Sequence, residues 1–181
     1  MIEATMDITT ADGPMDTFLC HPERGGPYPA VCFLIDAHGI HEELRDMARR
    51  LATVGYSVLL PNLYYRAGRE TIFGPEVMEE GSPEHTCMRA SRITMTIPPV
   101  MRDVAALLAF VERQDAVTPG PVGCQGYGMS GPSALAAAAR YPGRHRRCLV
   151  VRHGAGQRGG AEPAALFEPG AGRALYGLRR A

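Results

Sequence analysis

The chain has no lysine: all 19 basic side chains among its 181 residues are arginine, and asparagine occurs once, at Asn62. An arginine-only set balanced by 19 Asp and Glu fits a GC-rich gene better than a phosphate-binding surface, so nucleic acid is not an expected partner. No apolar run approaches the ~20 residues of a membrane span. The N-terminal stretch lacks a basic segment leading into an apolar run and a small-residue cleavage site. Neither a membrane nor a secretory leader is therefore expected. Cys20, Cys32, Cys87, Cys124 and Cys148 are scattered without a C-x-x-C pair, so neither zinc nor a disulfide framework is suggested and reduced thiols in the cytoplasm are expected. No Asp follows Asp115, the only later histidines are His145 and His153, and there is no internal repeat.

What is present is a globular composition, 45% hydrophobic, at a length that suits one domain. The zero net charge hides a split. Residues 1–142 carry a net −6, while 143–181 carry +6, with Glu162 and Glu168 the only acids. A basic tail of this kind is either a nucleic-acid or membrane arm or a segment not shaped for the fold.

Along the chain, Ile2 to Thr10 and Met15 to Cys20 have strand character around Ala11-Asp12-Gly13-Pro14, where Asp-Gly reads as a hairpin turn. Ala30 to Ile35 is apolar on both faces, as a central strand of a covered parallel sheet would be. The spacing of Leu44, Met47, Ala48, Leu51 and Val54 predicts a helix stopped by Gly55, and Tyr56 to Leu60 a second strand closed by Pro61. Residues 62–98 read as an irregular acidic loop or partial lid. Pro98-Pro99 opens a helix with Val100, Met101, Val104, Leu107, Leu108 and Val111 on one face, and Ser133 to Arg140 reads as a further, alanine-rich helix.

Between these two helices lies Val122-Gly123-Cys124-Gln125-Gly126-Tyr127-Gly128-Met129-Ser130-Gly131, a strand, a tight turn and a helix start. Such a turn stands at the carboxyl edge of a parallel sheet with helix N-terminal amides aimed at whatever binds. Two readings are open. One is a nucleophile elbow; the other is the dinucleotide pattern Gly126-x-Gly128-x-x-Gly131, which normally wants an acid ~20 residues on, where Val150, Val151 and Arg152 stand.

Pro29 to Gly39, Leu44 to Ala52, Gly55 to Tyr65 with Leu60-Pro61-Asn62-Leu63-Tyr64, and Gly123 to Pro142 together resemble the dienelactone hydrolase family of α/β-hydrolases. The resemblance implies an α/β fold, a mostly parallel sheet of five or six strands with helices on both faces, incomplete at its C-terminal end. It implies hydrolysis of a small-molecule carboxylic ester or lactone through an acyl-enzyme, with no metal or cofactor. Carried over by position, Asp36 is the acidic neighbour of the nucleophile, Ala37 and Met129 supply the oxyanion amides, and the nucleophile position is Gly128. Glycine has nothing with which to attack a carbonyl, so impaired activity is expected. Ser130, two residues late, is the substitute to weigh, and a helix-start serine also serves to hydrogen-bond free amides. His38, Arg89 and Arg92 are the residues to line the substrate. The alternatives are a catalytically silent remnant or binding protein, and a nucleotide-binding module.

The organisation expected is a hydrolase-like core over 1–142 and a poorly ordered Arg/Gly/Ala-rich tail over 143–181, truncated or frame-shifted after about residue 143. With GC-rich codons, His145 to Val151 read one base later becomes Ile-Ala-Ala-Ala-Ser-Ser, an apolar strand. An incomplete sheet leaves an edge and helix faces uncovered, so self-association is expected. Sequencing the gene checks the frame: a second frame past codon 143 should continue an α/β pattern, and its absence removes the idea.

Overall fold

Two short strands, Ala30–Leu34 and Ser57–Pro61, buried along their whole length, organise the molecule. The structure is a computed structural model and describes residues 1–141 with the backbone of 148–151, 165–167 and 174–176. In chain order it comprises the hairpin β1 (Ile2–Thr10) and β2 (Gly13–His21), then β3 (Ala30–Leu34), α1 (Glu42–Thr53), β4 (Ser57–Pro61), α2 (Pro83–Arg92), α3 (Ile97–Val111), β5 (Gly123–Tyr127) and α4 (Gly131–Arg140). Strands β6 (Cys148–Val151), β7 (Ala165–Phe167) and β8 (Ala174–Tyr176) follow. Apart from these three strands, the tail expectation falls outside the described residues, as do His145 and His153.

One sheet holds all eight strands in the order β1-β2-β4-β3-β5-β6-β7-β8. Its centre, β4-β3-β5-β6, is parallel, and antiparallel pairs flank it on both sides. The fold class is the one expected, with more strands than the five or six and with antiparallel flanks. The hairpin turn is Ala11-Asp12, one residue earlier than Asp-Gly, because Gly13 already pairs with Thr10. All five residues of β3 and of β4 are buried. Helix α1 packs on β2 and β4, while α3 packs on α4, β1 and β3, and α4 on β5 and β6, and β3 is buried along its whole length.

The helices show where periodicity suffices. All six apolar positions of α3 are buried, and each such burial contributes about 1.5–3 kcal/mol. In α1 the buried set is Leu44, Ala48 and Ala52, while Met47 and Val54 are exposed. The stripe is narrower than the sequence pattern because α1 covers only the flank of the sheet. Residues 62–98 are not wholly irregular: they contain a 3-10 turn at Pro75–Met78 and helix α2. Ser82 starts α2, its Oγ accepting the His85 N–H at 3.0 Å, with Pro83 in the first turn. That start signal is visible in Ser82-Pro83-Glu84. Among the described residues no single helix is long and apolar enough to cross a membrane.

Two buried polar clusters hold the segment that leaves β4. Asn62 donates from Nδ2 to Asp16 Oδ1 at 3.0 Å and to the Gly68 carbonyl at 3.0 Å, and its Oδ1 accepts the Tyr64 N–H at 3.0 Å. Asp16 in turn accepts the Glu70 N–H at 2.9 Å. Nearby, Arg66 forks onto the fully buried Asp103 of α3 at 2.8 and 2.9 Å, where Tyr65 also donates at 2.9 Å, and reaches Asp12 of the β1–β2 turn at 2.7 Å. Removing one partner of a buried pair strands the other charge. Asp103→Ala is expected to destabilise the fold by about 3 kcal/mol, read as a lower denaturant midpoint at unchanged slope; a shift below a tenth of that would show the pair to be unimportant.

Candidate active site

Strands β4 and β5 lie on opposite sides of β3, so the chain order reverses between β3 and β5. In open α/β sheets ligands bind outside the carboxyl ends of the strands at that switch point. Here the two ends are aligned by register, Leu34 opposite Gly126, and each runs into a turn.

The turn after β5 is made by its glycines. A Cβ on Gly126 would stand 2.6 Å from the Ser130 carbonyl oxygen and 3.1 Å from Ala134 Cβ, so only glycine lets the first turn of α4 approach the strand this closely. Gly128 has φ +49°, in the left-handed region, and a Cβ built there meets no atom within 4 Å. Two of the three glycines of the dinucleotide pattern thus have local reasons that involve no nucleotide. An L side chain at position 128 would have room and would bear about 1–2 kcal/mol of left-handed strain, as the residue on a nucleophile elbow does. Ser130 faces the other way. It is fully buried, its Oγ accepts the Tyr127 N–H at 3.1 Å, and its proton lies within 3.2 Å donor distance of the Leu34 and Tyr127 carbonyls.

The turn after β3 is held by side chains. Asp36 Oδ1 accepts the His38 N–H at 2.9 Å, and Oδ2 lies 3.0 Å from His41 Nε2, both groups being partly exposed. The rings of His38 and His41 meet edge to face at 5.5 Å between centroids. The Phe73 N–H donates to the His38 carbonyl at 2.9 Å, and His38 Nδ1 lies 3.3 Å from the Phe73 carbonyl, which stitches this turn to the start of the 62–98 excursion.

Tyr64 joins the two turns. Its hydroxyl stands 3.2 Å from the Ala37 carbonyl and 3.2 Å from Met129 Sδ; one proton serves both acceptors, and the carbonyl is the better of the two. The side chain is fully buried, its ring edge-on to Phe73 at 5.4 Å. Burial pushes the phenol above the ordinary tyrosine range; the Arg92 charge opposes this and the Asp36 charge adds to it. The hydroxyl is therefore a permanent donor at neutral pH. Tied to each other in this way, Ala37 and Met129 both have backbone N–H groups without an acceptor among the described residues.

Asp36, Ala37, Gly128 and Met129 are thus brought together, with His38 beside them. Arg89 and Arg92 are exposed on α2; the Arg92 charge is felt at the Tyr64 phenol, and neither guanidinium makes an ion pair among the described residues. Sequence reasoning missed His41 and Tyr64. The signals were His41 five residues after Asp36 in one loop, and Tyr64 at the end of the quoted Leu60-Pro61-Asn62-Leu63-Tyr64. Among the described residues no three His, Cys, Asp or Glu side chains are grouped to hold a metal ion. A groove lined by Pro27, Leu108, Val111 and Val117 lies at the other end of β5 and gathers none of these residues.

The dienelactone hydrolase family model matches residues 15–159. A "Putative carboxymethylenebutenolidase" of Methylorubrum extorquens is 27% identical over 144 residues, which are 78% of this chain and 46% of that protein. The structure of a "Putative Dienelactone Hydrolase" from Klebsiella pneumoniae superposes with TM-score 0.64 at 24% identity, covering 78% of this chain and 55% of that one. Dienelactone hydrolase from Anabaena variabilis superposes with TM-score 0.61 at 18% identity, covering 82% and 62%. The chain spans about half the length of the curated relative.

Tyr64 has a testable signature. An unfolded tyrosine ionises near pH 10, whereas the buried phenol keeps its proton to higher pH. Above about pH 10 the unfolded state therefore holds fewer protons than the native one, and stability falls as pH rises. Tyr64→Phe is expected to cost about 1 kcal/mol at pH 7 and to reduce the alkaline fall by up to about 1.4 kcal/mol per pH unit. Denaturant unfolding of both proteins between pH 7 and 11 measures this; parallel curves above pH 10 would refute it.

Proposed function

The chain belongs to the dienelactone hydrolase family, and we propose that it takes small-molecule carboxylic esters or lactones at the adjoining ends of β3 and β5, in an acyl-transfer site that has lost its nucleophile. The observation that carries this reading is Gly128: left-handed φ, open space where a side chain would stand, and next in the chain the Met129 amide, which has no acceptor among the described residues. In this reading the Ala37 and Met129 N–H groups receive the carbonyl oxygen, where a preorganised pair of donors stabilises developing negative charge. Asp36 and His38 border the reacting group, and Arg92 meets a carboxylate on the substrate.

Covalent catalysis needs more than an oxyanion site. It needs a nucleophile at the elbow and an acid–His pair that follows it in the chain. Position 128 is glycine, Ser130 is buried with its hydroxyl already engaged, and residues 129–141 contain neither Asp nor His. The acyl-enzyme route is therefore closed at the elbow, and the chain retains the half of the machinery made of backbone.

Restoring the missing atom is the direct test. With p-nitrophenyl acetate, Gly128→Cys is expected to acquire one acyl group at position 128, seen by intact mass and peptide mapping, while the unsubstituted chain acquires none there. Turnover should stay slow, because residues 129–141 supply neither an Asp nor a His to complete the site. An unsubstituted chain that accumulates an acyl adduct on Ser130, or a Gly128→Cys thiol that reacts no faster with the ester than the exposed Cys87, would overturn the reading.

A further inference from the structure

The pair made by Asp36 and His41 has the two members that general-base catalysis requires, a base and the group that orients it. An ionised carboxylate accepts hydrogen bonds and has none to give. With Asp36 Oδ2 at 3.0 Å, His41 Nε2 must carry the hydrogen and donate it. In the neutral ring this leaves the lone pair on Nδ1, which has no partner among the described residues, and the side chain is 20% exposed rather than sealed in the core. The other carboxylate oxygen is fixed by the His38 N–H at 2.9 Å, so the carboxylate cannot rotate away from the ring.

This pair stands on the turn that also carries Ala37, whose carbonyl shares the Tyr64 hydroxyl with Met129. Gly128 precedes Met129 and leaves free the room a side chain would take. The space beside Gly128, where a Cβ would meet no atom within 4 Å, is where the proposal below puts a water molecule.

We propose that Asp36 and His41 are an acid–base pair with which this chain hydrolyses activated esters directly by water, without an acyl-enzyme. The proposal rests on the reading of the elbow given above. His41 Nδ1 takes one proton from water as the water oxygen bonds to the ester carbonyl carbon. The carbonyl π electrons move to the oxygen, held by the Ala37 and Met129 N–H groups. When the tetrahedral species collapses, the bond to the leaving oxygen breaks, and that oxygen takes the proton from His41. The products are the acid and the alcohol, and the ring returns to its starting form. Asp36 keeps its charge throughout and acts by orienting the ring and stabilising its protonated form. Glycine at position 128 is then a change of mechanism rather than only a loss.

The experiment uses the full chain and p-nitrophenyl acetate. The expected result is multiple turnover above the buffer rate, linear from the first turnover, with no acyl adduct by intact mass. His41→Gln should lower kcat about 100-fold, and Asp36→Asn should lower it comparably, because an amide in place of the carboxylate no longer enforces the tautomer. A merely structural role is separated by rescue: imidazole added to His41→Ala should restore the rate in a saturable manner, whereas a folding defect would not respond. An initial burst, a His41→Gln chain that keeps its rate, or no turnover above buffer would each overturn the proposal. If the unsubstituted chain is inert while Gly128→Cys is acylated at position 128, the dyad falls and the elbow reading stands. If neither reacts, both fall.

Discussion

One buried carboxamide governs how the chain leaves the sheet. Asn62 follows the last residue of β4, where a parallel strand must turn away and expose unpaired backbone at the edge of the core. Its amide nitrogen satisfies Asp16 and the Gly68 carbonyl, and its oxygen satisfies the Tyr64 N–H, so one side chain replaces the ladder that has ended. The turn so formed delivers Tyr64 inward and Tyr65 and Arg66 toward Asp103. Without it, the phenol that spans Ala37 and Met129 would have no fixed origin. That asparagine occurs nowhere else in the chain accords with a position where Asp would add a second buried charge beside Asp16 and Ser would make too few bonds.

The candidate site is the meeting of two turns that are distant in sequence and controlled differently. After β5 the control is steric: Gly126 admits α4, and Gly128 takes a left-handed conformation. After β3 the control is polar: Asp36 gathers the His38 amide and the His41 ring. Tyr64 couples the two through a hydroxyl that burial keeps protonated. Two backbone donors with no acceptor among the described residues are costly unless something accepts from them, which is the physical reason to read the junction as a place where a carbonyl oxygen binds.

Much of this was legible beforehand. The apolar runs of β3 and β4 and the stripe of α3 announced a covered parallel centre, and the glycines of 126–131 announced the tight turn between β5 and α4. The α2 start is also written in Ser82-Pro83-Glu84, although the acidic, irregular residues around it obscure the helix. The narrower buried face of α1 was not legible, because Met47 and Val54 fit the helical period as well as Ala48 does and only the neighbours decide which positions meet the sheet.

Local order came from the chain itself, through the period of apolar residues, the glycines at turns and the residues that begin helices, since each depends on contacts within a few positions. The order of strands in the sheet, the antiparallel flanks, the pairing of His41 with Asp36 and the bridge of Tyr64 to both Ala37 and Met129 were decided only in three dimensions. These depend on groups brought together by register and packing, 65 residues apart for Tyr64 and Met129 and farther still for the paired strands β3 and β5. A side chain's sequence states which bonds it is able to make; only the fold chooses its partner.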